Sequence, residues 1–406
     1  MGTPKISAQK NSSVLTWLLL FVLVPFSYYL FVWDAHTRQL VDFSIYWEAA
    51  QLLKQGASIY GDSITVLNRW QQPTAGYYLY PPLLAWALAK LNFANMAEAQ
   101  YWWCALAWFS IIIAAACLAS LIKAPFPQWN ARTRFTACLF LCVCFEPVYS
   151  GISDGQVAAI LLMLLSAAFA LVQQNKFGFA GICIGIAAGI KITPALLVLT
   201  FLPYRHYRGI AGFTFGLLAS FALVALDSQA RYTLNQFLDY LLALSADERH
   251  RDFPFNYAFD KAILLPFGLE LERSLRWLVK ALVVSSCFLC LFKIRPDKVP
   301  FSTTLAILCC LMMLGSPIMW FHHLTWALPP LIVLLSRVPE QPALRIRHLT
   351  LSLGLFFALS QTHLLHYWIF SHKPDLMRFS TMLPGLLIAT LAVFLWRYRE
   401  RSVTAH

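Results

Sequence analysis

Gly181-Ile182-Cys183-Ile184-Gly185-Ile186-Ala187-Ala188-Gly189-Ile190-Lys191-Ile192-Thr193-Pro194 reads as a bilayer helix until Lys191 interrupts it. A proline follows three residues later, and the run stays apolar to about residue 204. An uncompensated lysine at mid-bilayer is expensive, and proline removes a bond from the helix ladder. The spacing predicts two shorter helices bent at Lys191–Pro194. Freed backbone groups inside a membrane need partners, so the bend should open toward a polar cavity. The small residues before it allow another helix to approach closely.

The rest of the chain has the same character. Of 406 residues, 59% are hydrophobic and 12% charged. The mean hydropathy is +0.62. A soluble domain of this size carries about 25% charged residues. Apolar runs recur at 14–33, 98–122, 135–152, 155–174, 178–204, 208–227, 275–293, 301–315, 317–336, 349–370 and 380–396. A shorter one, 78–91, suits a partial or re-entrant segment. The runs are continuous rather than alternating, which excludes an outer-membrane barrel. The expected fold is an all-α polytopic membrane protein of about 10–13 membrane segments, some broken or re-entrant. No soluble domain or internal repeat interrupts it, so residues 1–406 read as one membrane domain. The run from Val14 to Trp33 is too long for a signal-peptide core and lacks a small-residue cleavage site, so it reads as a retained first span.

The ten cysteines lie in or beside apolar segments, as Cys142, Cys144, Cys309 and Cys310 do. They read as small buried hydrophobes without disulfide or zinc spacing; Cys287-x-x-Cys290 is one turn of an apolar helix.

The net charge of +12 is not distributed as a nucleic-acid patch. Seventeen of the 31 Lys and Arg residues sit in short clusters between apolar runs: Lys5 and Lys10; Lys123, Arg132 and Arg134; Lys176; Arg205 and Arg208; Lys293, Arg295 and Lys298; Arg337, Arg345 and Arg347; Arg397, Arg399 and Arg401. Such clusters mark the cytoplasmic side. That orientation places two long loops outside, roughly 34–80 and 228–274. It also brings Asp42, the turn at Asp154-Gly155-Gln156, the Lys191 bend and the segment Ser316–His323 toward the same outer face. Within the first loop, Asp42–Leu53 has helical apolar spacing ending at Gly56, as an amphipathic surface helix would, with Asp42 at or near its N-cap. Tyr232–Leu244 repeats the pattern in the second loop, before the charged run Asp247–Asp252.

Asp42 is the leading acid/base candidate, because a carboxylate near apolar walls can serve as a general base; the alternative is a cap that only starts a helix. Lys191 needs an anion, either a protein carboxylate or the phosphate of a lipid-linked substrate. His322 and His323, in the apolar run Ser316–Trp326, suit phosphate binding or proton transfer; the alternative for at least one of them is a packed histidine bonded to a carbonyl. Adjacent helical residues point about 100° apart, which argues against a shared metal ligand. Weaker candidates are Tyr80-Pro81-Pro82, a possible turn, and Gly155-Gln156, which opens a helix where N–H groups suit an anion. Asp154 reads as an N-cap there. Glu146, before Pro147, reads as a buried partner for a base. Walker, dinucleotide and hydrolase-elbow motifs are missing, which disfavours soluble nucleotide chemistry.

In order, Asp42-x-x-x-Tyr46, Gly56-x-x-x-Tyr60, Tyr80-Pro81-Pro82, Gly155-Gln156, Gly185…Lys191-x-x-Pro194 and Ser316-Pro317-x-x-Trp320-x-His322-His323 resemble glycosyltransferase family 87 across about residues 40–330. Each motif alone is weak; the ordered set is specific. The resemblance implies a GT-C-type helical bundle with two long outer loops, in a bacterial cytoplasmic membrane with its site on the periplasmic face. It implies transfer of a hexose, mannose foremost, from a polyprenyl-phosphate sugar to a glycolipid or glycan acceptor, inverting and without metal or cofactor. Asp42 then maps onto the base. Lys191, His322 and His323 map onto donor-phosphate binding, with Tyr46, Tyr80, Gln156 and Trp320 in support. The family's second outer loop often carries Asn-x-Ser where this chain has Asn256-Tyr257-Ala258, which leaves the acceptor open. A transporter or flippase of lipid-linked sugars should show inverted repeats, and none is evident. A lipid-linked glycan ligase would favour arginines in the outer cavity, whereas Arg249 and Arg251 lie outside the ordered motifs.

Overall fold

The computed structural model describes residues 5–37, 40–60, 64–67, 73–122, 129–227, 230–246, 256–260, most of 278–337, 342–373 and 380–398. The charged run Asp247–Asp252, Cys287 and Cys290, Pro317 and part of the expected segment 275–293 lie outside the described residues.

The described chain is helical. Helix α1 (Lys5–Tyr28) continues as a π-helical turn to Asp34. It is followed by α2 (Val41–Lys54), α3 (Pro82–Lys90), α4 (Met96–Leu121), α5 (Ala131–Cys144), α6 (Glu146–Ser153), α7 (Ala158–Gln173) and α8 (Phe177–Ile190). Then come α9 (Tyr207–Asp227), α10 (Ala230–Ala246), α11 (Phe301–Leu314), α12 (Leu328–Leu335), α13 (Pro342–His372) and α14 (Met382–Arg397). The first long loop also holds a small antiparallel hairpin that the sequence did not announce. Its strands, β1 (Ile64–Leu67) and β2 (Pro73–Gly76), pair with Ile64 opposite Gly76 and Leu67 opposite Pro73.

Among the described residues, four helical stretches are long and apolar enough to cross a membrane: Thr16–Asp34, Met96–Leu121, Tyr207–Asp227 and Ala343–His372. Helices α5 and α6 pass the same test together, as a broken span or a re-entrant pair bent by 61° at Phe145, just before Pro147. The protein is thus a multi-pass helical membrane protein. The other apolar helices among the described residues are shorter, Ala158–Gln173, Phe177–Ile190, Phe301–Leu314, Phe321–Leu335 and Met382–Arg397.

The expected break at Lys191 is present. Helix α8 ends at Ile190, Lys191 adopts an extended conformation (φ −146°, ψ 125°), and a 3₁₀ helix runs from Thr193 to Phe201. Glycines set how close α8 and α9 approach: a Cβ added at Gly181 would lie 2.0 Å from the Gly209 carbonyl oxygen, and one at Gly212 would lie 2.0 Å from that of Gly178. Lipid offers no hydrophobic drive between helices, so such direct backbone packing fixes the pair. This pair supplies the rigid end on which Lys191 sits.

A second break lies before α12. After α11 the chain leaves the helix, and a 3₁₀ turn, Phe321–Ala327, carries His322 and His323. The Thr325 hydroxyl donates to the Pro147 carbonyl at 3.0 Å, tying this turn to the bent start of α6. Two broken segments thereby meet.

Candidate active site

The site is built around the turn between α6 and α7. Asp154 is the C-cap of α6 and does not cap α7, which corrects the N-cap expectation: the chain reverses there, and Val157 precedes α7. Gly155 has φ +78°, a left-handed conformation that favours glycine. Its Cβ, if present, would lie 2.6 Å from Phe43 Cβ and 2.9 Å from Phe43 N. The first turn of α2 therefore rests directly on this glycine. The Asp42 N–H donates to the Asp154 carbonyl at 2.9 Å, and the Trp103 indole N–H donates to the Gly155 carbonyl at 2.9 Å. Leu40, not Asp42, is the N-cap of α2. Asp42 lies in the first turn, partly exposed, and the amphipathic helix expected here buries Phe43, Ile45, Tyr46, Ala49 and Ala50.

Gln156 is 4% exposed, and its Oε1 accepts from two phenols, Tyr46 at 3.1 Å and Tyr80 at 2.8 Å. The two rings meet edge to face at 4.9 Å. Two further tyrosines complete the wall. The Tyr60 hydroxyl donates to the Tyr80 carbonyl at 2.7 Å, and that of Tyr78 donates to the Pro81 carbonyl at 2.9 Å. Tyr80-Pro81-Pro82 is thus a turn, but one held in the site. Burial pushes the Tyr46 and Tyr80 phenols well above the ordinary range, and the nearby Asp42 carboxylate adds to the effect. These phenols stay neutral hydrogen-bond donors. The sequence reading missed Tyr78, which carries no charge or spacing signal; its place shows only once the loop before α3 folds onto that helix, where its hydroxyl accepts the Ala85 N–H.

The Asp42 charge also acts on Lys191. The Lys191 Nζ lies 2.6 Å from His323 Nε2, 5.1 Å from the Tyr80 ring centre and 5.4 Å from that of Trp326. Ring faces attract a cation but do not neutralise it. Among the described residues Lys191 enters no ion pair with a carboxylate. His323 Nδ1 accepts from the Trp320 N–H at 3.1 Å, so a neutral ring carries its proton on Nε2, beside Nζ. At 2.6 Å the two nitrogens share one hydrogen bond, Nε2–H donating to Lys191 Nζ in its amine form; an anionic oxygen entering here favours the ammonium and accepts from both groups.

The histidines divide as adjacent residues should, with ring planes 85° apart. His323 engages Lys191 and stacks on Trp326 at 4.8 Å. His322 is 3% exposed, packs against Phe321, and both its ring nitrogens meet no hydrogen-bond partner among the described residues. Trp320 contributes through its backbone N–H to His323. Glu146 takes the Ser150 hydroxyl within α6. Asp42, Tyr46, Tyr80, Gln156, Lys191 and His323 are therefore drawn together from five separate stretches of chain. Among the described residues no three His, Cys, Asp or Glu side chains gather as a metal-ligand set.

The chain is similar to several known proteins. A polyprenol-phosphate-mannose-dependent alpha-(1-2)-phosphatidylinositol mannoside mannosyltransferase of Mycobacterium tuberculosis is 25% identical, covering 82% of this chain and 78% of its own. A pentamannoside mannosyltransferase of the same type and species is 26% identical, covering 75% of this chain and 69% of its own. The crystal structure of ArnT from Cupriavidus metallidurans bound to undecaprenyl phosphate aligns with 95% of this chain and 78% of its own, at 13% identity and a TM-score of 0.45. Residues 78–317 match the profile of glycosyltransferase family 87. With more than half its length matched, the chain belongs to glycosyltransferase family 87 and is a glycosyltransferase.

Proposed function

We propose that this protein transfers a mannosyl group from a polyprenyl-phosphate donor to a hydroxyl of a glycolipid or glycan acceptor, at the outer face of a bacterial cytoplasmic membrane. The observation that carries the reading is one site holding a partly exposed carboxylate and, near it, a lysine and a histidine that form no ion pair with a carboxylate among the described residues. Relatives named for polyprenol-phosphate-mannose dependence support the donor. The positive-inside pattern supports the outer face.

Asp42 takes the proton of the acceptor hydroxyl as its oxygen attacks the sugar C1 from the side opposite the phosphate. The C1–O bond to phosphate breaks, its electron pair stays on the phosphate oxygen, and the anomeric configuration inverts. Lys191 Nζ and His323 Nε2–H stabilise the charge that grows on that oxygen. Tyr46, Tyr80 and Gln156 form a neutral, hydrogen-bonded wall beside them. The chain itself supplies both the base and the electrostatic stabilisation, so turnover is expected without a metal. A donor carried in lipid also accounts for a site built where broken helices open.

The test is transfer of labelled mannose from polyprenyl-phosphate mannose by the purified protein in proteoliposomes. Asp42→Asn should lose about 10²–10⁴-fold in rate, the range for a general base. Full activity of a folded Asp42→Asn protein would remove Asp42 from this role.

A further inference from the structure

The second outer loop enters the site through Asn256, which is 2% exposed. Its side-chain Oδ1 accepts the Met319 N–H at 3.0 Å and the Ala258 N–H at 3.0 Å. The next residue returns the bond: the Tyr257 N–H donates to the Met319 carbonyl at 2.7 Å. Both polar groups of the Met319 backbone are thus held by two consecutive loop residues. The loop is itself anchored, since the Tyr257 ring meets His366 of α13 edge-on at 5.1 Å. One peptide beyond this clasp, the Trp320 N–H donates to His323 Nδ1, whose Nε2 faces Lys191.

We propose that Asn256 is a positioning residue for the transfer reaction. Through Met319 and Trp320 it aims the Trp320 N–H at His323 Nδ1, which keeps the ring proton on Nε2, where the leaving oxygen needs a donor. The chemistry favours this over simple loop anchoring. A backbone N–H aimed at Nδ1 forbids the Nδ1–H tautomer, because two donors would face each other. Rotation of the Met319–Trp320 peptide would release Nδ1 and leave Nε2 free to lose its hydrogen. The Asn256 side chain is what the backbone lacks at this point: an acceptor reaching across from another loop. Asn256 does not touch the reacting atoms and acts only through the histidine.

This inference rests on the reading of Lys191 and His323 as the leaving-group clamp, so its test separates the two. ¹⁵N-histidine NMR of the wild-type protein in lipid, with the signal assigned by its loss in His323→Gln, reads the tautomer without any turnover. A neutral His323 protonated on Nε2 is expected, and the Nδ1–H tautomer would overturn the proposal even if transfer proceeds as described. Asn256→Asp keeps an acceptor oxygen for both N–H groups, whereas Asn256→Leu removes it at similar volume. Asn256→Leu should shift the tautomer signal and lower kcat by about 10²-fold, the scale for an angstrom-level misplacement, with KM for the acceptor unchanged. Asn256→Asp should restore most of the rate and the wild-type signal. An Asn256→Leu protein with wild-type tautomer and kcat would also overturn the proposal; should it fail to fold, the wild-type tautomer and the Asn256→Asp rate still decide.

Discussion

Gly155→Ala perturbs the site without touching a proposed catalytic group, and its effect follows from the geometry. The new methyl would sit 2.6 Å from Phe43 Cβ and 2.9 Å from Leu40 Cβ. Ordinary carbon contacts lie at about 3.5–4.0 Å, so the first turn of α2 must retreat by roughly 1 Å. The backbone at φ +78° adds a cost of roughly 1–2 kcal/mol for a residue with a Cβ. Overpacking adds about 1–3 kcal/mol. The protein should therefore lose about 2–5 kcal/mol of stability and still fold if its reserve lies in the usual range. The retreat carries Asp42 with it, because Asp42 lies in that first turn, and stretches its N–H bond to the Asp154 carbonyl. A displacement of about 1 Å costs on the order of 10²-fold in rate. The assay is mannosyl transfer per folded molecule, with folded protein counted by gel filtration. A rate drop near 10²-fold with donor affinity intact supports the account. Wild-type kcat in a folded Gly155→Ala protein would refute the idea that this turn sets the position of Asp42.

Gln156→Leu would leave the Tyr46 and Tyr80 hydroxyls without their shared acceptor. At about 1–3 kcal/mol for each buried unpaired group, a thermal melt should show a marked loss of stability, and an unchanged Tm would contradict the shared bond. The raised Tyr46 and Tyr80 phenols fix a pH response. Below the unfolded phenol value near 10 their contribution is complete; above it the unfolded chain loses protons first, so stability falls as pH rises. Melts from pH 8 to 11 should decline at the alkaline end, and Tyr80→Phe should flatten that decline.

Much of this was readable from residue types alone. The break at Lys191 follows from lysine and proline in an apolar run, and tracing the positive clusters leads to the expectation that Asp42, Gln156, Lys191 and the His322-His323 pair share one face of the membrane. What escaped depended on tertiary detail. Ile64-Thr65-Val66-Leu67 is a fair strand by composition, yet a strand needs its partner, and nothing local announces Pro73–Gly76 as one. Asp154 resembles an N-cap because aspartate before a helix commonly caps it, but the turn is set by Gly155 and by packing against Phe43. Nor could spacing distinguish His322 from His323, since the difference arises from how the 3₁₀ turn docks against Lys191. The acceptor role of Asn256 is likewise visible only when Met319 is placed beside it.

The central claim is a division of labour: Lys191 holds the donor phosphate, while Asp42 acts only in transfer. The affinity of Asp42→Asn and Lys191→Ala proteins in nanodiscs for polyprenyl-phosphate mannose tests it most directly. A hydrogen bond to a charged group contributes about 1.5–3 kcal/mol. Lys191→Ala should therefore weaken binding by roughly 10- to 150-fold in Kd. Asp42→Asn should bind as the wild type does and fail to transfer. Equal donor affinity in wild-type and Lys191→Ala proteins would contradict the account.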